Sequence, residues 1–112
     1  MSDCLFCRVV KGEVAAQTVF SNERIVAFKD INPQAPTHVL ICPVKHIAAL
    51  SEASAEDAGV LGEIQYVAAG VAKKGGLEGF RLVLNNGRSA GQSVDHIHYH
   101  LLGGRRLAWP PG

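Results

Sequence analysis

His96-Ile97-His98-Tyr99-His100 constrains this chain more than any other stretch: three imidazoles alternate with large apolar residues, and Leu101 continues the series. In an extended strand successive side chains point to opposite faces and each residue rises ~3.3 Å, so the three His share one face at Cα intervals of about 6.6 Å. Ile97, Tyr99 and Leu101 take the other face, and an apolar row of that kind belongs against a core. The segment therefore calls for a sheet with one buried face and one face carrying imidazoles. Imidazole titrates near neutral pH, attacks as a neutral nucleophile and donates a hydrogen bond once protonated. The row is expected to carry chemistry rather than to be a half-exposed polar strand. The same spacing makes convergence of all three rings on one ion awkward, so no metal is expected on the triplet.

With 112 residues the chain is expected to be a single domain, 1–112, able to bury a real core at 47% apolar content. Eleven basic and ten acidic residues nearly cancel. That balance gives no electrostatic footprint for duplex nucleic acid or an anionic membrane, so a phosphate-bearing ligand would be small and held locally. The opening MSDCLFCRVV shows no charged leader followed by a long apolar run, and no stretch approaches a membrane span. Three Cys do not make a disulfide framework, and a reducing cytoplasm is the expected compartment.

Residues 4–11 predict a short helix closed by Gly12. Thr18-Val19-Phe20 and Ile25-Val26-Ala27-Phe28 form two strands around a Ser21-to-Arg24 turn, and two Pro in Asp30-to-Pro36 enforce a loop. His38 to Cys42 is a third strand, with Val39 and Ile41 on one face and His38, Leu40 and Cys42 on the other. Ser54 caps the best helix, with Asp57 three residues on. Leu61, Ile64, Ala68 and Val71 form its apolar stripe, and Gly75-Gly76 ends it. Gly59, Gly62 and Gly70 lie inside that helix, either as weak propensity offset by packing or to allow close approach of a sheet or second subunit. Phe80 to Leu84 is a fourth strand and the His row a fifth. Few strands are joined by helices, so the sheet is mostly antiparallel and the class α+β.

The loop Asn85-to-Ser93 between those last strands is rich in Gly, Asn and Ser, which frees backbone N–H groups to approach an anion. A nucleophilic His, nearby donors such as Asn85 and a hydroxyl on Ser93 together suit attack at phosphorus. Alone, Asn85 and Ser93 would be ordinary turn residues.

His96-Ile97-His98-Tyr99-His100-Leu101-Leu102 resembles the histidine triad (HIT) pattern, His-x-His-x-His followed by two apolar residues. Asp30-Ile31-Asn32-Pro33-Gln34-Ala35-Pro36-Thr37-His38 looks like the ligand loop of the Hint branch, the nucleotide-binding, phosphoramidase-like members. Gly91-Gln92-Ser93-Val94 and the tail from Leu102 through Trp109-Pro110-Pro111-Gly112 agree in order and spacing. Asp95 stands where an aromatic residue is common, and Asn86 where an acid is common.

The resemblance implies a HIT-like fold: a five-stranded sheet with one long and one or two short helices, dimerising into a ten-stranded sheet. It implies hydrolysis of adenosine or guanosine 5′-phosphoramidates to a nucleoside monophosphate and an amine. His98 would attack phosphorus and form a covalent nucleotidyl-histidine. His100 and Asn85 would bind phosphoryl oxygens, Ser93 would serve the leaving group, and His38 would belong to the proton network. Asp30 would take the ribose hydroxyls, Phe28 and Ile31 would line the base pocket, and Gln92 and Trp109 would be further nucleotide contacts. Two alternatives stand beside this: a dinucleoside polyphosphate hydrolase, and a non-catalytic purine-nucleotide sensor or adaptor.

Cys4-Leu5-Phe6-Cys7 has the spacing of a zinc half-site, and His46 with His96 would complete a Cys2His2 set. Such a centre would be structural, tying the N-terminal segment to the sheet, and no cofactor is expected for the chemistry itself. A redox pair and two unrelated buried thiols are the competing readings, and Cys42 suits a small core position. Trp109 near the end of the tail is costly to leave wet, and the resemblance implies that it reaches a partner's active site.

Overall fold

The computed structural model describes residues 4–112. Met1, Ser2 and Asp3, part of the stretch read for a leader, lie outside the described residues. The elements in chain order are α1 (Leu5–Val10), β1 (Thr18–Ser21), β2 (Ile25–Lys29), β3 (Thr37–Pro43), α2 (Ala58–Lys74), β4 (Phe80–Leu84) and β5 (Tyr99–Gly103). The strands form one five-stranded sheet in the order β1-β2-β3-β5-β4, and every neighbouring pair is antiparallel. No helix among the described residues is long and apolar enough to cross a membrane.

Period-2 patterning gives this sheet two different faces. Ile25 and Ala27 of β2, Val39 and Ile41 of β3, and Tyr99 and Leu101 of β5 are buried on one side against Ile64, Val67, Ala68 and Ala72 of α2. Ile25, Ile41, Ile64 and Leu101 are wholly buried, each stabilising the fold by about 1.5–3 kcal/mol relative to exposure. On the opposite side Val26, Phe28, Leu40 and Cys42 meet Phe6 of α1. That short helix covers part of this second face, and its Phe6 ring lies against the imidazoles of His96 and His98.

Local chemistry fixes the connections. Asn22 Oδ1 accepts from the N–H groups of Arg24 and Ile25, both at 2.8 Å, closing the β1–β2 turn. Arg24 then clamps the turn to α2 through Glu63 at 2.7 and 2.8 Å. Ser54 N–H donates to the Asp57 carboxylate at 2.9 Å, and Lys45 adds a 2.7 Å contact. The expected cap is present, although its first turn, Ala55–Asp57, is a 3-10 turn. A Cβ added at Gly59, Gly62 or Gly70 would meet nothing within 4 Å. Close approach to the sheet is therefore not the reason for these glycines; their face of α2 is open, and Tyr66 on it is 82% exposed.

The histidine row departs from expectation in one respect. Side-chain alternation persists along it, but the ladder of β5 begins only at Tyr99, opposite Ile41 and Leu84. His96 and His98 precede it outside the ladder: His96 lies in a bend, its N–H donating to Val94 O at 2.9 Å, and Ile97 N–H donates to Ile47 O at 2.7 Å. This contact sets the segment beside His46 rather than beside another strand.

Candidate active site and metal centre

His98 and His100 line a cavity of about 250 Å³ on the open part of the second face, together with Leu5, Phe6, Val9, Phe28, Asp30, Ile31, Leu40 and Ser93. Ile31, also in the lining, is 97% exposed. A larger groove, about 710 Å³, lies at the β4 edge between Phe80 and Arg106 and contains no His.

Hydrogen-bond partners assign the tautomers. His98 Nδ1 lies 2.7 Å from the His96 carbonyl oxygen, and a ring nitrogen facing an acceptor must carry the proton. The neutral ring then keeps its lone pair on Nε2. His98 is 4% exposed, with the Phe6 ring edge-on at a centroid distance of 4.8 Å and His100 at 5.1 Å. It is buried, but in the wall of a cleft.

A second chain of bonds fixes His100. Gln34 N–H donates to His38 Nδ1 at 3.0 Å, so the His38 proton sits on Nε2. His38 Nε2 lies 2.9 Å from His100 Nδ1 and 3.4 Å from Asp30 Oδ2. Donation to His100 Nδ1 places the His100 proton on Nε2, where it serves as a donor. Burial, with His98 and His38 nearby, depresses the His100 pKa to about 4. Burial also lowers that of His38, against the pull of Asp30. Asp30, His38 and His100 bring three donor atoms within 4.8 Å of one another, a closeness these hydrogen bonds account for. Asp30 itself is held by Asn32 N–H at 2.8 Å.

Other expected residues sit less directly. Asn85 follows β4 and is half-buried beside Gly91 rather than in the cavity wall. Gln92 is buried, and its amide is spent inside the loop: Nε2 donates to Ala48 O at 2.7 Å and Val94 O at 3.0 Å, while Oε1 accepts from Gly87 N–H at 2.8 Å. It braces the loop that carries Ser93 instead of facing the cavity. Gly87 and Gly91, at φ +89° and +95°, supply backbone turns there that a side chain would strain. Trp109 is 79% exposed and lines no part of the cavity. Asn86 accepts from Ser51 N–H at 2.9 Å, and Asp95 pairs with Arg88 at 3.0 Å, so both departures from the family pattern brace loops. Sequence reasoning missed Leu5, Phe6 and Val9 as cavity wall. Leu40 was within reach, since it shares a strand face with His38.

The remaining cluster is a metal centre in geometry. Cys4, Cys7, His46 and His96 offer four ligand atoms all within 4.8 Å of one another. A tetrahedron with Zn–S of ~2.3 Å and Zn–N of ~2.05 Å has S–N edges of about 3.6 Å and N–N edges of about 3.3 Å. The observed Sγ–Nδ1 separations are 3.3, 3.3 and 3.5 Å, and the two Nδ1 atoms are 3.2 Å apart. His96 Nε2 faces Pro43 O at 2.8 Å. The carbonyl accepts a hydrogen bond from Nε2–H, which leaves the Nδ1 lone pair for ligation, as expected around bound zinc. The donor set fits a structural zinc, and needs no role for the metal in the cavity chemistry.

The comparisons with known proteins agree with this geometry. Residues 11–107 match the family model of the HIT domain. A 14 kDa zinc-binding protein of Zea mays is 50% identical over 114 residues, covering 99% of this chain and 89% of the relative. A HIT family hydrolase from Legionella pneumophila superposes with a TM-score of 0.96 at 49% identity, covering 98% of this chain and 100% of that one. A histidine triad nucleotide-binding protein from Candida albicans gives 0.82 at 33% identity, with 96% and 83% covered. The chain belongs to the HIT-domain family.

Proposed function

We propose that this protein is a Hint-type purine nucleoside phosphoramidase, with His98 as nucleophile. The observation that carries the reading is the 2.7 Å contact of His98 Nδ1 with the His96 carbonyl, which leaves a lone pair on Nε2 of a ring in the cavity wall. In the reaction, that lone pair forms an N–P bond while the P–N bond to the leaving amine breaks. The amine departs with the bonding electrons and a proton that solvent supplies through the Ser93 hydroxyl, and the water of the second step releases one proton in return. The imidazole becomes cationic as it is phosphorylated, and the His96 carbonyl, already accepting from Nδ1–H, stabilises that charge. Water then cleaves the nucleotidyl-histidine, returning neutral His98 and a nucleoside monophosphate. His100 Nε2–H would hold a phosphoryl oxygen, Asp30 the ribose hydroxyls, and Phe28 and Ile31 the base.

A homodimer is part of this proposal. The open α2 face of Gly59, Gly62, Tyr66 and Gly70 and the exposed β4 edge would both be covered by a second copy, giving ten strands and bringing Trp109 to the partner's cavity. Turnover of adenosine 5′-phosphoramidate tests the chemistry: His98→Ala should abolish it and keep AMP binding within a few-fold, whereas undiminished turnover refutes the mechanism.

A further inference from the structure

One short helix belongs to both the metal centre and the cavity. α1 is six residues long, too short to persist by its own hydrogen bonds. Cys4 and Cys7 bracket its first turn, while Leu5, Phe6 and Val9 form one wall of the cavity. Cys4 Sγ also accepts from Cys7 N–H at 3.4 Å and so caps the helix it anchors. The Phe6 ring stands between the two imidazoles, 6.0 Å from the ligand His96 and 4.8 Å from His98. Phe6 packs on Val26, Phe28, Leu40 and Cys42, with Cys4, Val9 and Val10 against the same cluster, and Cys4 and Cys7 also reach His46 and His96 at the ends of its first turn. His46, alone of the four ligands, is exposed.

We infer that the Cys4/Cys7/His46/His96 centre locks the nucleotide pocket. Metal bound there fixes α1 as a wall for the base and a rest for the His98 ring. Metal loss frees the helix, and the ligand must then pay to order it again. The inference rests on the purine-nucleotide reading above. Linkage makes the coupling reciprocal: whatever factor the metal contributes to nucleotide affinity, the nucleotide returns to metal affinity.

The test is calorimetric titration of AMP into zinc-loaded protein and into protein stripped by chelator, with metal content measured in both. Stripping should weaken AMP about tenfold, at the low end of what one stacked aromatic contributes to a bound base, and added Zn²⁺ should restore it. Saturating AMP should tighten zinc by the same factor in a competition with a chromophoric chelator. His46→Gln, at an exposed ligand, should reproduce the stripped state, and α1 amides should exchange faster while β3 and β5 stay protected. Phe6→Ala should remove the metal dependence of AMP binding. Equal AMP affinity in loaded and stripped protein overturns the lock alone. Loss of β3 and β5 protection on stripping also overturns it, by making the metal a support for the whole fold. Loaded protein that binds no purine nucleotide overturns the functional reading and the lock together.

Discussion

Replacing His38 with Phe keeps a ring of similar size in a site that is 6% exposed and removes both of its hydrogen bonds. One runs from Gln34 N–H at 3.0 Å and the other to His100 Nδ1 at 2.9 Å. At about 0.5–1.5 kcal/mol net for each bond, the variant should lose about 1–3 kcal/mol of stability. In a domain of this size that corresponds to a melting temperature lower by very roughly 5–15 °C. The functional loss works through His100. Removing a preorganised donor outright costs roughly 100- to 1000-fold. A donor that is present but no longer held in one tautomer should cost less, about tenfold to 100-fold in kcat/KM. Steady-state hydrolysis of adenosine 5′-phosphoramidate by His38→Phe, His100→Ala and the double variant measures it. His38→Phe should add less than about twofold in the His100→Ala background, since the two side chains act as one unit. Additive losses, or full activity in His38→Phe, would refute the relay.

Two further outcomes follow from the structure. Burial keeps His38 and His100 neutral in the fold, His100 down to about 4 from an ordinary 6.5. As pH falls the unfolded chain takes up those protons first, so stability should be full above about 6.5 and decline steadily toward 4. Urea midpoints across that range should fall with pH, and a flat profile would contradict the assignment. Gly62→Arg places a charge on the open face of α2, where an added Cβ meets nothing within 4 Å. It should yield monomer by sedimentation with no loss of melting temperature beyond that of dissociation, and an intact dimer would exclude that face from the interface.

The sequence disclosed the fold through patterns that two physical rules enforce. Alternation put Val39, Ile41, Tyr99 and Leu101 on one sheet face, and the 3.6-residue stripe put Ile64 and Ala68 of α2 over it. Ligand chemistry was legible in part for Cys4, Cys7, His46 and His96: the spacing of Cys4 and Cys7 marks a half-site, but a redox pair and unrelated thiols fit the same spacing, and only the fold brings His46 and His96 to it. What stayed hidden depended on tertiary placement. The ladder of β5 starts at Tyr99 because Ile97 pairs with the loop carrying Ile47, a contact no local pattern announces. Gln92 looks like a ligand contact, yet the glycine turns around it leave Gly87 N–H and two carbonyls to be satisfied, and its amide satisfies them. Phe6 was overlooked because a single aromatic between two Cys carries no periodicity of its own. The tautomers of His38, His98 and His100 follow only from distances.

The most direct measurement is intact-mass spectrometry of the protein quenched in acid-sparing conditions during turnover of a purine nucleoside phosphoramidate. A population heavier by one nucleoside monophosphate residue, mapped to His98 and absent from His98→Ala, is the expected result. Rapid turnover with no such adduct, or an adduct mapped to His96 or His100, would contradict attack by the imidazole whose Nδ1 the His96 carbonyl holds.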